Sequence, residues 1–348
     1  MSIFIFNGFL LLCFVVATVL NVLVLGSPGA AEIMYLKPPL KMCRYSKVNS
    51  ILEAQCSKLK LRKIPLNLNV DIEMLDLIGN YLTELEKDSL HPYKKLAYIY
   101  LGGNSIAEID EAAFANQPYL TLLDLRLNDC DTLSKSLFQL PYLHTLYLGY
   151  NHLNDSVFKV KVTSPLKLLQ LTKNELTTIP NIGVQPTLLN LNVSYNKITS
   201  ISTEDLAPFC SLKELDLTGN SINFKAGSCD CQRFIAWVKL RQIKIKPDDL
   251  YNCTKTPATL NEDCANVRFS NRTNELFDEC LAIIQHEVET EKARSFWIYV
   301  VSCISVFLFV LFVVLFCVHK QKKQLTANDD NIDMRQQEPD NNYQNICR

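Results

Sequence analysis

The chain has 348 residues, with 35 lysines and arginines against 36 aspartates and glutamates, for a net charge of −1. Nothing in that balance points to nucleic acid or to a strongly charged partner. The five histidines (His91, His144, His152, His286 and His319) are scattered without metal-ligand spacing, and no nucleophile elbow, zinc-helix motif or phosphate-cradling glycine loop occurs. An enzyme, a resident metal and a cofactor are therefore not expected.

In chain order, the first element is an apolar block from Ile3 to about Gly26, followed by Ser27-Pro28-Gly29-Ala30-Ala31. Small residues after an apolar run read as a secretory cleavage site, so residues 1–30 are assigned as a signal peptide cut near Ala30 or Ala31. The block lacks a basic leading region, and an uncleaved signal anchor is the alternative. Four glycosylation sequons (Asn154, Asn192, Asn252 and Asn271) fit a secreted segment.

From residue 67 to 226 the chain repeats. Seven asparagines (Asn80, Asn104, Asn128, Asn151, Asn174, Asn196 and Asn220) recur at gaps of 24, 24, 23, 23, 22 and 24 residues. Each closes a run L-x-x-L-x-L-x-x-N, as in Leu96, Ile99, Leu101 and Asn104, and most carry Leu or Ile two residues later. Alternation within the run predicts a short strand with one buried face. Asparagine lets the chain leave that strand, because its amide can satisfy backbone groups in the turn. Further apolar pairs such as Ala113-Phe114, Leu137-Phe138 and Leu206 with Phe209 fill the opposite side. No coil can bury its own apolar face, so the repeats must fold as a stack. Cys130 takes the inward slot that Leu or Ile holds elsewhere and reads as a buried thiol.

On these residues the segment resembles an extracellular leucine-rich repeat domain of the roughly 24-residue type. The resemblance implies an α/β solenoid, a horseshoe with a parallel sheet on its concave face. It also implies cysteine caps. Residues 40–66, with Cys43, Cys56, Leu59, Leu61 and Ile64-Pro65, are similar to the N-terminal cap, although only two of its usual four cysteines are present. Residues 227–270 resemble the C-terminal cap, and by that pattern Cys229 pairs with Cys264 and Cys231 with Cys253. Phe234 and Trp237 are spaced as helical residues facing the last coil. Cys210 is given a local structural role.

Residues 271–295 read as a stalk with helical periodicity, Leu276, Cys280, Ile283/Ile284 and Val288 forming one stripe. Cys280 is odd in number there, so it is read as unpaired or paired with Cys210, with an intermolecular disulfide and hence a homo- or heterodimer as the alternative. Phe296 to Val318 is 23 residues without a charge, long enough at ~1.5 Å per residue to cross a hydrocarbon core of ~30 Å. His319-Lys320-Gln321-Lys322-Lys323 then marks a cytoplasmic flank. The predicted topology is single-pass type I at the plasma membrane, with the N-terminus outside. The tail, 319–348, is polar and is expected to be disordered. Its Tyr343-Gln344-Asn345-Ile346 resembles an endocytic signal, and Tyr343 with Asn345 a phosphotyrosine adaptor site.

The phase of the repeats also separates buried from displayed residues. The middle outward slots hold Asp76, Tyr100, Asp124, Tyr147, Gln170, Asn192 and Asp216. Tyr98, Tyr100, Leu122, Arg126, Tyr147 and Tyr150 are thus expected close together on repeats two to four, and they are the candidate ligand contacts. A glycan on Asn192 would cover the C-terminal part of that face. The ectodomain looks like a short Toll-like-receptor-type domain without the intracellular signalling domain. It implies a receptor or co-receptor for an extracellular protein, in innate immunity or development. A cell adhesion molecule and a structural membrane scaffold are the alternatives.

Overall fold

The computed structural model describes residues 42–225, 228–248, 253, 264 and 268–336, with side chains as far as Lys323. The predicted signal peptide, Asn252 and the Tyr343-Asn345-Ile346 motif lie outside the described residues.

Each L-x-L becomes a three-residue strand. The chain opens with an antiparallel hairpin, β1 (Arg44–Val48) and β2 (Ile51–Gln55). It continues through β3 (Met74–Asp76), β4 (Glu84–Leu85), β5 (Tyr98–Tyr100), β6 (Glu108–Ile109), β7 (Leu122–Asp124) and β8 (Thr145–Tyr147). Then come β9 (Leu168–Gln170), β10 (Asn190–Asn192), helix α1 (Thr203–Leu206), β11 (Glu214–Asp216), helix α2 (Asp230–Leu240), β12 (Lys244–Lys246) and helix α3 (Asn271–Gln336). The order β1-β2-β3-β5-β7-β8-β9-β10-β11-β12 makes one ten-stranded sheet, parallel from β2 onward. β4 and β6 pair separately outside it. Sequence neighbours in the sheet are space neighbours, as a solenoid requires.

Register follows the repeat without a slip: Met74 pairs Tyr98, Tyr98 pairs Leu122, Leu122 pairs Thr145. A one-residue shift would turn every leucine out to water, so the buried face locks the pairing. The inward residues form one continuous core, and Leu75, Ile99, Leu123, Leu146 and Leu169 are fully buried. Each such side chain contributes roughly 1.5–3 kcal/mol by leaving water. Phe114, Phe138 and Leu206 fill the convex side as the repeat pattern predicts.

The asparagines hold the coils together. Asn128 donates from Nδ2 to the carbonyls of Leu101 and Leu125, each at 3.0 Å, and its Oδ1 accepts from the Ile106 N–H at 3.0 Å. Asn151 repeats this with Leu125, Leu148 and the Cys130 N–H. Each amide bridges its own coil and the preceding one, so every strand-end carbonyl from Leu77 to Val193 accepts from two successive asparagines.

The left-handed turn sits one position before the asparagine. Gly79, Gly103, Leu127, Tyr150, Lys173, Tyr195 and Gly219 all have φ between 53° and 72°. Glycine adopts that region without cost and other residues do not. Gly219 is needed twice over, because the Tyr195 ring lies 2.5 Å from where its Cβ would stand.

Cys130 is fully buried, and its thiol contacts the Ile106 carbonyl at 3.1 Å. Burial, with the nearby Asp129 and Asp131 charges, pushes its pKa up to about 12. Maleimide at pH 8 is therefore expected to leave Cys130 unmodified in the folded protein and to modify it within minutes once denaturant is added. Mass spectrometry of the Cys130 peptide reads this directly, and rapid native labelling would contradict the burial.

At the ends, Cys43 is bonded to Cys56, Cys229 to Cys264 and Cys231 to Cys253. Cys280 is bonded to Cys210 at 2.03 Å and is fully buried. The intermolecular disulfide weighed for Cys280 is corrected on that ground, since its sulfur is already bonded within the chain and the Cys210-paired alternative holds. The bond brings α3 onto the last coil, where Thr203 and Thr273 share a hydrogen bond of 2.9 Å. Phe277 meets Trp237 edge to face at 5.3 Å, and the Arg241 guanidinium lies 3.6 Å from the Phe277 ring centroid and 4.8 Å from that of Trp237.

Helix α3 does not stop at the expected stalk boundary. It runs from Asn271 to Gln336, and no glycine or proline interrupts those residues. Stalk, apolar stretch and the first part of the tail are one helix, so 319–336 is helical rather than disordered. Its most apolar stretch reaches a mean hydropathy of 3.1 and is unburied, long and apolar enough to cross a membrane. Of the predicted stripe only the first turns pack: Ile283 and Val288 are exposed.

Candidate functional site

The concave sheet displays one row of residues per outward slot. Strand pairing brings the slots of adjacent coils side by side, so Tyr98 lies beside Leu122 and Tyr100 beside Asp124, which in turn neighbours Tyr147. At about 4.8 Å between strands these side chains touch a common surface. Five of the six predicted contact residues are therefore neighbours: Tyr98, Tyr100, Leu122, Arg126 and Tyr147.

Asp124 organises them. Its carboxylate is only 2% exposed and accepts two hydrogen bonds from the Arg126 guanidinium, at 2.9 and 2.6 Å. Arg126 itself is 43% exposed and stacks over the Tyr147 ring at 4.7 Å. The bidentate hydrogen bond to Asp124 raises the Arg126 pKa, which keeps the guanidinium charged. Burial raises the Tyr100 pKa above the ordinary tyrosine value, with Tyr98, Asp124, Tyr147 and Glu53 adding smaller effects. The result is a preorganised polar and aromatic patch in which one of the expected binding residues, Arg126, also neutralises a buried carboxylate.

Tyr150 is not part of this patch. It occupies the left-handed position after its strand and stands on the rim, where Lys173 Nζ lies 4.7 Å from its ring and 5.8 Å from that of Tyr195. Phase along the strand places Tyr150 correctly outside the core, but the left-handed turn swings it off the sheet. Tyr195 shares the rim, as Tyr150, Lys173 and Tyr195 hold the same repeat position, one before the asparagine, on successive coils.

A concavity of about 210 Å³ opens farther along the sheet, over β8 to β12. Tyr147, Gln170, Asn190, Asn192, Asp216 and Lys246 line it. Asn192 is half-buried. Its Oδ1 accepts from Thr172 Oγ1 at 2.9 Å and from Ser194 Oγ at 2.7 Å, and its Nδ2 lies 3.4 Å from Asp216. A sugar carried on that nitrogen would occupy the concavity. Gln170 Oε1 is buried there without a hydrogen-bond partner. Of the other acceptors, Asn154 is exposed with Oδ1 bound to the Ser156 N–H, and Asn271 is exposed at the start of α3.

Among the described residues no cluster of His, Cys, Asp and Glu is arranged to hold a metal ion. The leucine-rich repeat solenoid is a non-catalytic fold, consistent with the expectation that the chain is not an enzyme.

Comparison with known proteins agrees with the geometry. Residues 94–153 and 164–222 match the family described as leucine rich repeat. Biglycan of Xenopus laevis is 30% identical over 213 residues, covering 53% of this chain and 56% of that protein. Tsukushi of Gallus gallus is 30% identical over 186 residues, covering 50% and 48%. The chain spans about half the length of the curated relatives it matches. A solved TLR13–ssRNA13 complex is 24% identical with a TM-score of 0.43, over 51% of this chain and 26% of that one. The repeats and their two disulfide-closed ends form a leucine-rich repeat solenoid, similar over about half of the chain to biglycan and Tsukushi.

Proposed function

We propose that this protein is a cell-surface receptor or co-receptor that holds an extracellular protein against the concave sheet of repeats two to four. In this reading α3 crosses the plasma membrane once, with the repeats outside and Lys320, Lys322 and Lys323 on the cytoplasmic side. Transmission is by clustering or through a partner chain. The tail motif Tyr343-Asn345-Ile346 is proposed to meet an endocytic or phosphotyrosine adaptor.

The observation that carries the reading is the outward row Tyr98, Tyr100, Leu122, Arg126 and Tyr147, held rigid by strand register and by the Asp124–Arg126 pair. Aromatic and arginine side chains fixed in one arrangement lose little entropy on docking, which is what makes binding anchors effective. A glycan on Asn192 would fill the neighbouring concavity, which Tyr147 borders, and leave Tyr98, Tyr100, Leu122 and Arg126 as the accessible part of the sheet. Adhesion is the second reading, favoured by the same surface if its partner sits on another cell.

Tyr100→Ala with Tyr147→Ala tests the site. Arg126 is left in place, because its removal would strand the buried Asp124 carboxylate and confuse folding with binding. Proximity labelling from the repeats on living cells should identify partners whose capture falls by about tenfold or more in the double variant. Surface display should be unchanged. Undiminished capture by a normally displayed variant would overturn the concave-face reading, and aggregation of expressing cells would favour adhesion.

A further inference from the structure

The net charge of the whole chain hides a local asymmetry. Between Cys43 and Lys63 there are six basic residues, Arg44, Lys47, Lys58, Lys60, Arg62 and Lys63, and one acidic residue, Glu53. Glu53 is already engaged, accepting from Ser46 Oγ at 2.6 Å and Gln55 Nε2 at 2.9 Å. Lys63 is bonded to Glu86 at 2.6 Å. Among the described residues, Lys58, Lys60 and Arg62 have no carboxylate within salt-bridge distance, and all three are exposed.

Their arrangement follows from the first asparagine. The N–H groups of Leu59 and Leu61 both donate to Asn80 Oδ1, each at 3.0 Å. This turns both leucines against the core and leaves the alternate positions, Lys58, Lys60 and Arg62, facing solvent. Lys58 and Lys60 have φ of 56° and 62°, a region that disfavours any side chain. Glycine would relieve that cost, yet lysine stands at both positions.

We infer that this N-terminal cap is a binding surface for a sulfated polysaccharide of the extracellular matrix or cell surface. A row of unpaired cations displaces the counterions condensed on a dense polyanion, which supplies affinity without a shaped pocket. Sulfate oxygens accept charge-assisted hydrogen bonds from both lysine and arginine. The alternative anionic surface, lipid headgroups, is disfavoured by position. The basic cap begins the sheet at β2, whereas α3 leaves from the last coil at its other end, about 40 Å away by strand spacing. The inference stands apart from the concave-face reading, because none of its residues belongs to that patch.

The test uses the full-length chain in detergent, bound to immobilised heparin and eluted with salt. Lys58→Gln, Lys60→Gln and Arg62→Gln combined is compared with Lys159→Gln, Lys161→Gln and Lys167→Gln, an equal charge change at exposed lysines elsewhere. The cap variant is expected to lose about tenfold or more in affinity near physiological salt, with a shallower dependence on salt concentration. The control variant should stay within about twofold of the unmodified chain. Desulfated heparin should bind weakly to all three, and phosphatidylserine vesicles should not compete. Failure of the unmodified chain to bind heparin, equal losses in both variants, or full competition by the vesicles would each overturn the proposal. Unchanged resistance to thermal unfolding shows that the cap variant is folded when it is measured.

Discussion

Asn128→Ala and Asn151→Ala are each expected to destabilise the protein by about 3 kcal/mol, and together by more than their sum. Asn128 is the hydrogen-bond partner of the buried Ile106 N–H and of two strand-end carbonyls. Losing it leaves the Ile106 N–H in the core without its partner, and an unsatisfied buried group costs about 1–3 kcal/mol. The excess comes from Leu125. Its carbonyl accepts from Asn128 at 3.0 Å and from Asn151 at 2.9 Å, so either single variant leaves it one donor and the double variant removes both. A double-mutant cycle should show about 1 kcal/mol of coupling for this adjacent pair. Asn104→Ala with Asn174→Ala, which share no carbonyl, should be additive within ~0.5 kcal/mol. Guanidinium unfolding of the purified chain measures all of these. Additivity at Asn128 and Asn151 would show that the shared acceptors carry no energy.

Removing the Cys210–Cys280 bond should be nearly as damaging. The bond closes a loop across a sequence separation of 70, for which chain entropy alone predicts about 4 kcal/mol. Cys229–Cys264 and Cys231–Cys253 already shorten that loop, so about 2–4 kcal/mol is expected for Cys210→Ser with Cys280→Ser. The loss should be local as well as global. Amide exchange in the first turns of α3, around Thr273 to Ile284, should rise by about tenfold or more as the helix lifts from Thr203 and Trp237. On a non-reducing gel the unmodified protein and the double variant should both migrate as single chains. A dimer band that disappears in Cys280→Ser would contradict the pairing. With the bond intact, the last coil and the first turns of α3 are packed on one another.

Much of this architecture is legible in the chain because a solenoid is a one-dimensional object. The spacing of Asn80 to Asn220 sets where strands begin, and the alternation within each run sets which side is buried. Phe114, Phe138 and Cys130 fall in the core for the same reason. The outward slots follow too, which is why Tyr98, Tyr100 and Tyr147 are neighbours. Other features were outside that reach. The left-handed turn lies one residue before each asparagine, so Tyr150 moves to the rim beside Lys173. The repeat phase also treats Arg126 as free for a ligand, whereas its guanidinium already neutralises Asp124.

What the sequence by itself determined was everything governed by local period: the parallel sheet, the buried ladder of amides and the residues displayed on the outward face. Only the tertiary structure decided which side chains meet across intervals that share no period. Cys210 finds Cys280, the Arg241 guanidinium packs between Trp237 and Phe277, and Asn80 orients Lys58, Lys60 and Arg62 from a different coil. Those contacts depend on how the last coil, the cap and the helix close on one another. Packing in three dimensions sets that closure, and residue spacing along the chain carries no record of it.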